Sequence, residues 1–266
     1  MSPIRVVVHG ALGKVGQEVV KATCQEPETE LIGAIDLKAS EAFLPLPDGS
    51  GKVPLSGDLS ILNDCSADVM VDFSIAQAAM PAARLAAQKG INLVIGTTGL
   101  TADDIAEIEQ LAAVHRIGAV VAPNFALGAV LMMHLAKVAA RYMDYAEIIE
   151  LHHHLKADSP SGTALATAKA MAEARDKPFS GPPEAAKPSD SRGMGVEGVA
   201  IHSVRLPGLM AHQEVILGAA GQILSIRHDT ISRECYMPGV ILAVKEVVKR
   251  QGLIYGLEKL LNLSGE

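Results

Sequence analysis

The chain predicts an α/β fold: a doubly wound parallel sheet, followed by a second, α+β domain built on a mixed sheet. Three observations carry this. Up to about residue 125, short Val/Ile-rich runs alternate with Ala-rich helical stretches, the pattern of a parallel sheet covered by helices. Beyond residue 197, strand-like runs recur at hairpin spacing, which points to antiparallel pairing. Hydrophobic residues make up 49% of the 266 positions while aromatics are only 3% and Trp is absent, so Ala, Val, Ile and Leu must fill the core.

In chain order, IRVVV (4–8), LIGAI (31–35), DVMVDF (68–73), INLVIG (91–96) and GAVVA (118–122) read as buried parallel strands;. Helical spacing fills the gaps at 13–26, 76–90 and 101–116, the last opening on Thr101 as N-cap with acids in its first turn;. APNFALG (122–128) marks the connection to the second domain. There, 128–143 reads as a long apolar helix, 146–154 as a strand and 161–176 as a helix. Residues 177–195 form a Pro/Gly/Ser-rich loop, and 198–206, 212–220 and 222–230 are three strands expected to pair antiparallel;. Residues 236–252 return to helix.

Charge and cysteine usage exclude several classes. The net charge is -7 with no basic cluster, which argues against nucleic acid or an anionic membrane as the partner;. Cys24, Cys65 and Cys235 lie far apart without C-x-x-C spacing, which fits a reducing cytoplasm and provides no thiolate metal site;. No apolar run approaches the roughly 18 to 20 residues a membrane span requires. The expectation is a soluble cytoplasmic protein.

Gly10, Gly13 and Gly16 follow the first strand and open a helix. That arrangement provides a tight turn, close approach of backbone to a pyrophosphate and a helix N-terminus aimed at the anion. Asp36 ends the next strand, where a carboxylate can accept from adenosine ribose hydroxyls. It would repel a 2′-phosphate, so NADH is expected, with Lys14 and Lys38 offering enough compensation for NADPH to be accepted. DFS (72–74) and GTTG (96–99) place small polar groups at two more strand ends, where open α/β sheets bind ligands;.

The stretch ELHHHLKADSPSGTAL (150–165) is the densest in chemistry. A metal site is disfavoured: neighbouring histidines on a strand face opposite ways, so at most His152 and His154 share a side, and H-E-x-x-H is absent. An exposed strand end is the plainer reading. The third is an anion-binding acid/base site, in which the helix start at Ser161, Gly162 and Thr163 faces a carboxylate while histidine and Lys156 supply charge and protons.

GALGKVG, DFS, GTTG, APNF, ELHHHLKADSPSGTAL and HSVRLPG occur in the order seen in the 4-hydroxy-tetrahydrodipicolinate (dihydrodipicolinate) reductase family, which this chain resembles over nearly its whole length. The resemblance implies a Rossmann-type domain (1–125), a substrate-binding and oligomerisation domain (126–234), and a C-terminal helix (235–266) returning to the first. It implies hydride transfer from NAD(P)H to 4-hydroxy-tetrahydrodipicolinate or its dehydrated form, giving tetrahydrodipicolinate in lysine and diaminopimelate biosynthesis, by a homotetramer. His152 matches the proton donor/acceptor and Lys156 the proton donor. His153 matches a substrate contact, and Gly162 with Thr163 the turn that holds a substrate carboxylate. Gly10, Ala11, Leu12, Gly13, Lys14, Val15, Asp36, Gly96, Thr97, Thr98, Ala122, Pro123, Asn124 and Phe125 match cofactor contacts. Leu37 stands where some dual-cofactor members have arginine, and HSVRLPG varies a segment that elsewhere carries Arg-Gly-Gly. The rivals are another two-domain dehydrogenase acting on a sugar or amino acid, and a non-catalytic nucleotide sensor, which would have no use for a proton-donating lysine.

Overall fold

The computed structural model describes residues 2–181 and 190–263. The chain divides into two compact units, Met1–Leu127 with Arg233–Glu266, and Gly128–Ser232.

The first unit opens with β1 (Ile4–His9), α1 (Gly16–Gln25), β2 (Thr29–Ile35), β3 (Phe43–Pro45), β4 (Lys52–Ser56), α2 (Ile61–Asp64), β5 (Val69–Asp72), α3 (Ala76–Gln88), β6 (Asn92–Ile95), α4 (Ala102–His115) and β7 (Gly118–Val121). In β5 every residue is fully buried, as a central parallel strand covered on both faces must be;. The Ala-rich face of α3 lets that helix lie close on the sheet: Ala79, Ala82, Ala83, Ala86 and Ala87 are all shut off from solvent. Thr101 caps α4 through a capping box, with its hydroxyl accepting from the Asp104 N–H at 3.2 Å and the Asp104 carboxylate accepting from the Thr101 N–H at 2.8 Å;.

The second unit contains α5 (Leu127–Ala140, which begins at the junction), β8 (Tyr145–His152), α6 (Gly162–Glu173), β9 (Met194–Val196), β10 (Val199–Arg205), β11 (Ala211–Ala219) and β12 (Gln222–Thr230). Its sheet runs β12-β11-β8-β10-β9. Ala146 and Ile148 alternate inward from β8 onto Ala164, Ala168 and Met171 of α6, with Ile201, Val215 and Leu217 completing the core.

The chain then returns to the first unit with α7 (Met237–Val247), β13 (Gly252–Tyr255) and α8 (Leu257–Leu260). The first sheet is ordered β13-β7-β6-β5-β1-β2-β4-β3, parallel throughout except for β3. α7 packs tightly there, since a Cβ at Gly239 would lie 2.2 Å from the Phe125 carbonyl oxygen.

The doubly wound sheet and the mixed second sheet are as the sequence predicts; four details differ. First, β10 and β11 do not pair with each other. β8 lies between them, antiparallel to β11 and parallel to β10, and all three strands turn alternate residues into one core. Second, the C-terminal segment is not helix alone: β13 adds a strand beside β7. Third, β3 and β4 extend the other edge. Fourth, the strand expected to run to residue 154 stops at His152, where Leu206 N–H closes the ladder on the His152 carbonyl at 3.1 Å and Lys156 N–H turns back to the His153 carbonyl at 3.1 Å. His153 and His154 are therefore off the strand, and the face-sharing expected of His152 and His154 does not apply. Of the loop expected at 177–195, residues 182–189 lie outside the described residues and 194–196 form β9.

Candidate active site

In the first unit the candidate cofactor residues sit at the C-terminal ends of β1, β2, β6 and β7. Gly10 leaves β1 with φ +80°, and a Cβ there would lie 2.6 Å from the Phe73 carbonyl oxygen. Gly16 is tighter still: its Cβ would sit 1.9 Å from the Gly10 carbonyl oxygen. No side chain caps the α1 start at Val15, so the N–H groups at Lys14 to Gly16 stay available to an anion, whereas those of Gly10, Ala11, Leu12 and Gly13 bond within the protein;. Ala11 and Leu12 lie against β2, through Ala11 N–H to the Ile35 carbonyl (3.2 Å) and Leu12 N–H to Asp36 Oδ2 (2.9 Å). Asp36 Oδ1 accepts from Lys38 N–H at 2.9 Å. A carboxylate has about four acceptor positions, so Asp36 keeps capacity for hydroxyl donors. Lys14 is exposed and Val15 half-buried.

A buried polar knot ties the neighbouring strand ends. Asp72 is fully buried and accepts from Thr97 Oγ1 (2.7 Å), Ser74 Oγ (2.7 Å) and Ser74 N–H (2.8 Å), with His9 Nδ1 at 3.1 Å. Burial pushes the Asp72 carboxyl up, but hydrogen bonding and charge attraction from His9, then the Thr97 and Ser74 bonds, outweigh it and hold the group below its ordinary range;. Thr97 is thus a scaffold residue as well as a candidate contact. A Cβ at Gly96 would strike the Phe73 ring at 2.2 Å, and that ring packs on Phe125 at 5.6 Å. Ala122 N–H bonds the Ile95 carbonyl (3.1 Å), Asn124 Oδ1 accepts from Ala126 N–H (2.9 Å), and Pro123 and Thr98 are exposed.

In the second unit, α6 begins under the cap of Ser161, whose hydroxyl accepts from Ala164 N–H at 3.2 Å. Gly162 is exposed, with nothing within 4 Å of where a Cβ would lie. Thr163 is half-buried. The structure joins His152 and Lys156 through one chain of contacts. His152 Nδ1 bonds Glu150 Oε2. Glu150 is held by both terminal nitrogens of Arg205, at 3.0 and 2.8 Å. Arg205 also donates to the Asp158 carbonyl at 2.7 Å, and Lys156 Nζ pairs with Asp158 Oδ1 at 2.8 Å. The Lys156 ammonium, ahead of the opposing effect of burial, holds the Asp158 carboxyl below its ordinary range. His153, a candidate substrate contact, is exposed in the turn, as is His154.

Sequence reasoning did not single out Glu150, Arg205's pairing with it, or the His9–Asp72 pair. The available signal for Glu150 was its spacing, two residues before His152 in a strand whose same-side neighbours Ala146 and Ile148 are apolar. Among the described residues no group of three or more His, Cys, Asp or Glu could hold a metal ion, and no helix is long and apolar enough to cross a membrane.

Comparison with known proteins locates both units. Residues 4–125 match the family model for dihydrodipicolinate reductase, N-terminus, and residues 128–261 that for dihydrodipicolinate reductase, C-terminus. A 4-hydroxy-tetrahydrodipicolinate reductase of Dehalococcoides mccartyi is 60% identical over 264 residues, covering 99% of this chain and 100% of its own. One from Moorella thermoacetica is 47% identical over 266 residues, covering 98% and 99%. A solved dihydrodipicolinate reductase from Paenisporosarcina sp. TG-14, with dipicolinate bound, superposes with a TM-score of 0.85 at 39% identity, over 97% of this chain and 99% of that one.

Proposed function

The chain belongs to the dihydrodipicolinate reductase family and is an oxidoreductase; we propose that it reduces 4-hydroxy-tetrahydrodipicolinate, or the dihydrodipicolinate formed from it by loss of water, to tetrahydrodipicolinate. The names of its relatives and the dipicolinate bound to one of them support a ring dicarboxylate as substrate. The observation that carries the reading is the contact chain that places His152 and Lys156 in one network beside the open start of α6.

The first unit fits a nicotinamide dinucleotide. Its turn between β1 and α1 has no room for a side chain at Gly10 or Gly16, and Asp36 stands at the end of β2;. Gly10, Ala11, Leu12, Gly13, Lys14 and Val15 would hold the pyrophosphate, Asp36 the adenosine ribose, and the segments 96–98 and 122–125 the remainder. When bound, the cofactor supplies the hydride that adds at C4 of the ring. NADH is the preferred form, because the Asp36 carboxylate repels a 2′-phosphate and exposed Leu37 offers it no donor;. NADPH is also accepted, with Lys14 and Lys38 as counter-charges.

The chain's own residues handle the carboxylates and the proton. The N–H groups at Gly162 and Thr163 receive a ring carboxylate, an anion at a helix N-terminus. His153 adds a contact from the turn. With the C4 hydroxyl already lost as water, Lys156 gives the proton that adds at C3, and His152 assists by stabilising the charge that develops on the ring. Held at one carboxylate by the start of α6 and contacted by His153, the ring presents a single orientation to the reaction.

The working form is a cytoplasmic homotetramer. Leu131, Leu135 and Val138 recur at i, i+4 and i+7 on α5 and are exposed, and Tyr142 is exposed in the turn that follows;. The edge strand β12 adds exposed Ile223 and Leu224. Such a stripe, with β12 at the edge of the sheet among the described residues, suits a covering copy;. The overall reading is tested by NADH oxidation on enzymatically generated 4-hydroxy-tetrahydrodipicolinate: substrate-dependent turnover is expected, and its absence with both NADH and NADPH sinks the reading.

A further inference from the structure

Glu150 precedes His152 by two residues on β8, so both side chains leave the strand on the same side. That side is core: Ala146 and Ile148, from the same row, pack with Ala164, Ala168 and Met171 of α6. A carboxylate in such a row costs stability unless it is paired, and Glu150 is fully buried. Arg205, which lies opposite His152 in the parallel β8–β10 register, donates two hydrogen bonds to the Glu150 carboxylate. The guanidinium is anchored in turn by the Val204 and Asp158 carbonyls, at 2.8 and 2.7 Å. Oε2 of the same carboxylate faces Nδ1 of His152.

We infer that Glu150 is a positioning residue for the reaction: acting through His152, it keeps a proton on Nδ1 and so makes Nε2 the nitrogen that meets the ring substrate. The inference rests on the reading above, in which His152 handles protons or charge. An ionised carboxylate can only accept, so Nδ1 must donate. When His152 is neutral, its lone pair is on Nε2; when it is protonated, its second N–H is there. In both states Nε2 is the ring nitrogen left for a further partner. Burial works against ionisation of Glu150, but the bonds from His152, Arg205 and Ser203 outweigh it and bring the carboxyl to about 2, so the acceptor is ionised at any working pH;. Arg205 makes a buried acceptor tolerable here, and its two bonds fix the carboxylate plane against which the imidazole orients. A simple fastener between β8 and β10 would not need the histidine at all.

The test begins with the native enzyme. Ring-labelled ¹⁵N NMR, with the His152 signals assigned by their loss in His152→Gln, reports which nitrogen carries the proton in the neutral ring. Nδ1 protonated and Nε2 bare is expected; the reverse tautomer overturns the inference. Glu150→Gln gives the second arm. Its kcat should fall at least about tenfold, as happens when a histidine loses its orienting carboxylate, with KM for NADH within about twofold of wild type. A folded Glu150→Gln enzyme with kcat within about twofold of wild type overturns the positioning role. If that variant does not fold, the tautomer alone decides. His152→Gln separates the two levels: unchanged kcat there removes the proton role of His152 itself, whereas its loss alongside a fully active Glu150→Gln removes only the role of Glu150.

Discussion

Asp72 and Glu150 are both fully buried carboxylates at or near the end of a β-strand, one in each unit. Asp72 is surrounded by small and neutral donors, Ser74 and Thr97, besides His9, and its bonds join the ends of β1, β5 and β6. Glu150 is held mainly by charged partners, a two-point arginine and a histidine, with the Ser203 side chain as an added neutral donor. The difference suits what each unit is proposed to bind. A dinucleotide is recognised mainly by backbone N–H groups and glycine-made space, so the side chains around it have only to keep strand ends in register. A small dicarboxylate that must be protonated needs ionisable side chains held in fixed geometry, and these need partners of their own.

The comparison is broken most severely at Lys156. Lys156→Ala removes the proposed proton donor from the second unit only, so kcat should drop about 10²- to 10⁴-fold while NADH binding, measured by fluorescence or by KM, stays close to wild type. Turnover near the wild-type value sinks the assignment.

A smaller effect separates the two carboxylates by acid. Both are held below their ordinary range, so each contributes stability that is complete above its unfolded value and is lost as pH falls through the folded one;. For Glu150 the window runs from about pH 4.5 down to about 2, and the contribution at stake is roughly 3 kcal/mol by linkage. Urea titrations across this window should show stability falling with acid, and Glu150→Gln should flatten the slope. A slope unchanged in that variant contradicts the assigned ionisation.

The smallest expected effect is at Asp36. Asp36→Ala should raise KM for NADH by about tenfold, the loss of one to two hydrogen bonds to a charged acceptor, and raise KM for NADPH less, since the 2′-phosphate repulsion disappears with the charge. Equal losses for the two cofactors remove the ribose-contact argument and, with it, the NADH preference.

Much of this molecule was legible in the chain because local chemistry and fold agree there. The central strands β1, β2, β5, β6 and β7 carry apolar runs, and Gly10 and Gly16 stand where the structure leaves no space for a Cβ. Thr101 announces its helix by a capping box. β13 was not legible: four residues, GLIY, are too few to show a period, and they become a strand only because β7 offers an open edge. The pairing of β8 between β10 and β11 was hidden for a related reason, since hairpin spacing describes neighbours in sequence and says nothing of a third strand inserted between them. Glu150 does not stand out in ELHHH, because a buried carboxylate and an exposed one look alike in sequence until the partner 55 positions away is seen.

By itself the sequence determined the two-part α/β architecture, the glycine turn, and the residue types of the candidate site, because periodicity, turn chemistry and motif spacing are local properties. Only the tertiary structure decided that the histidine run breaks after His152, that Arg205 from another strand neutralises Glu150, and that Asp158 links this pair to Lys156. Those are contacts between residues distant in the chain or brought together by a turn, and the energy of a buried charge depends on what lies within hydrogen-bond reach of it.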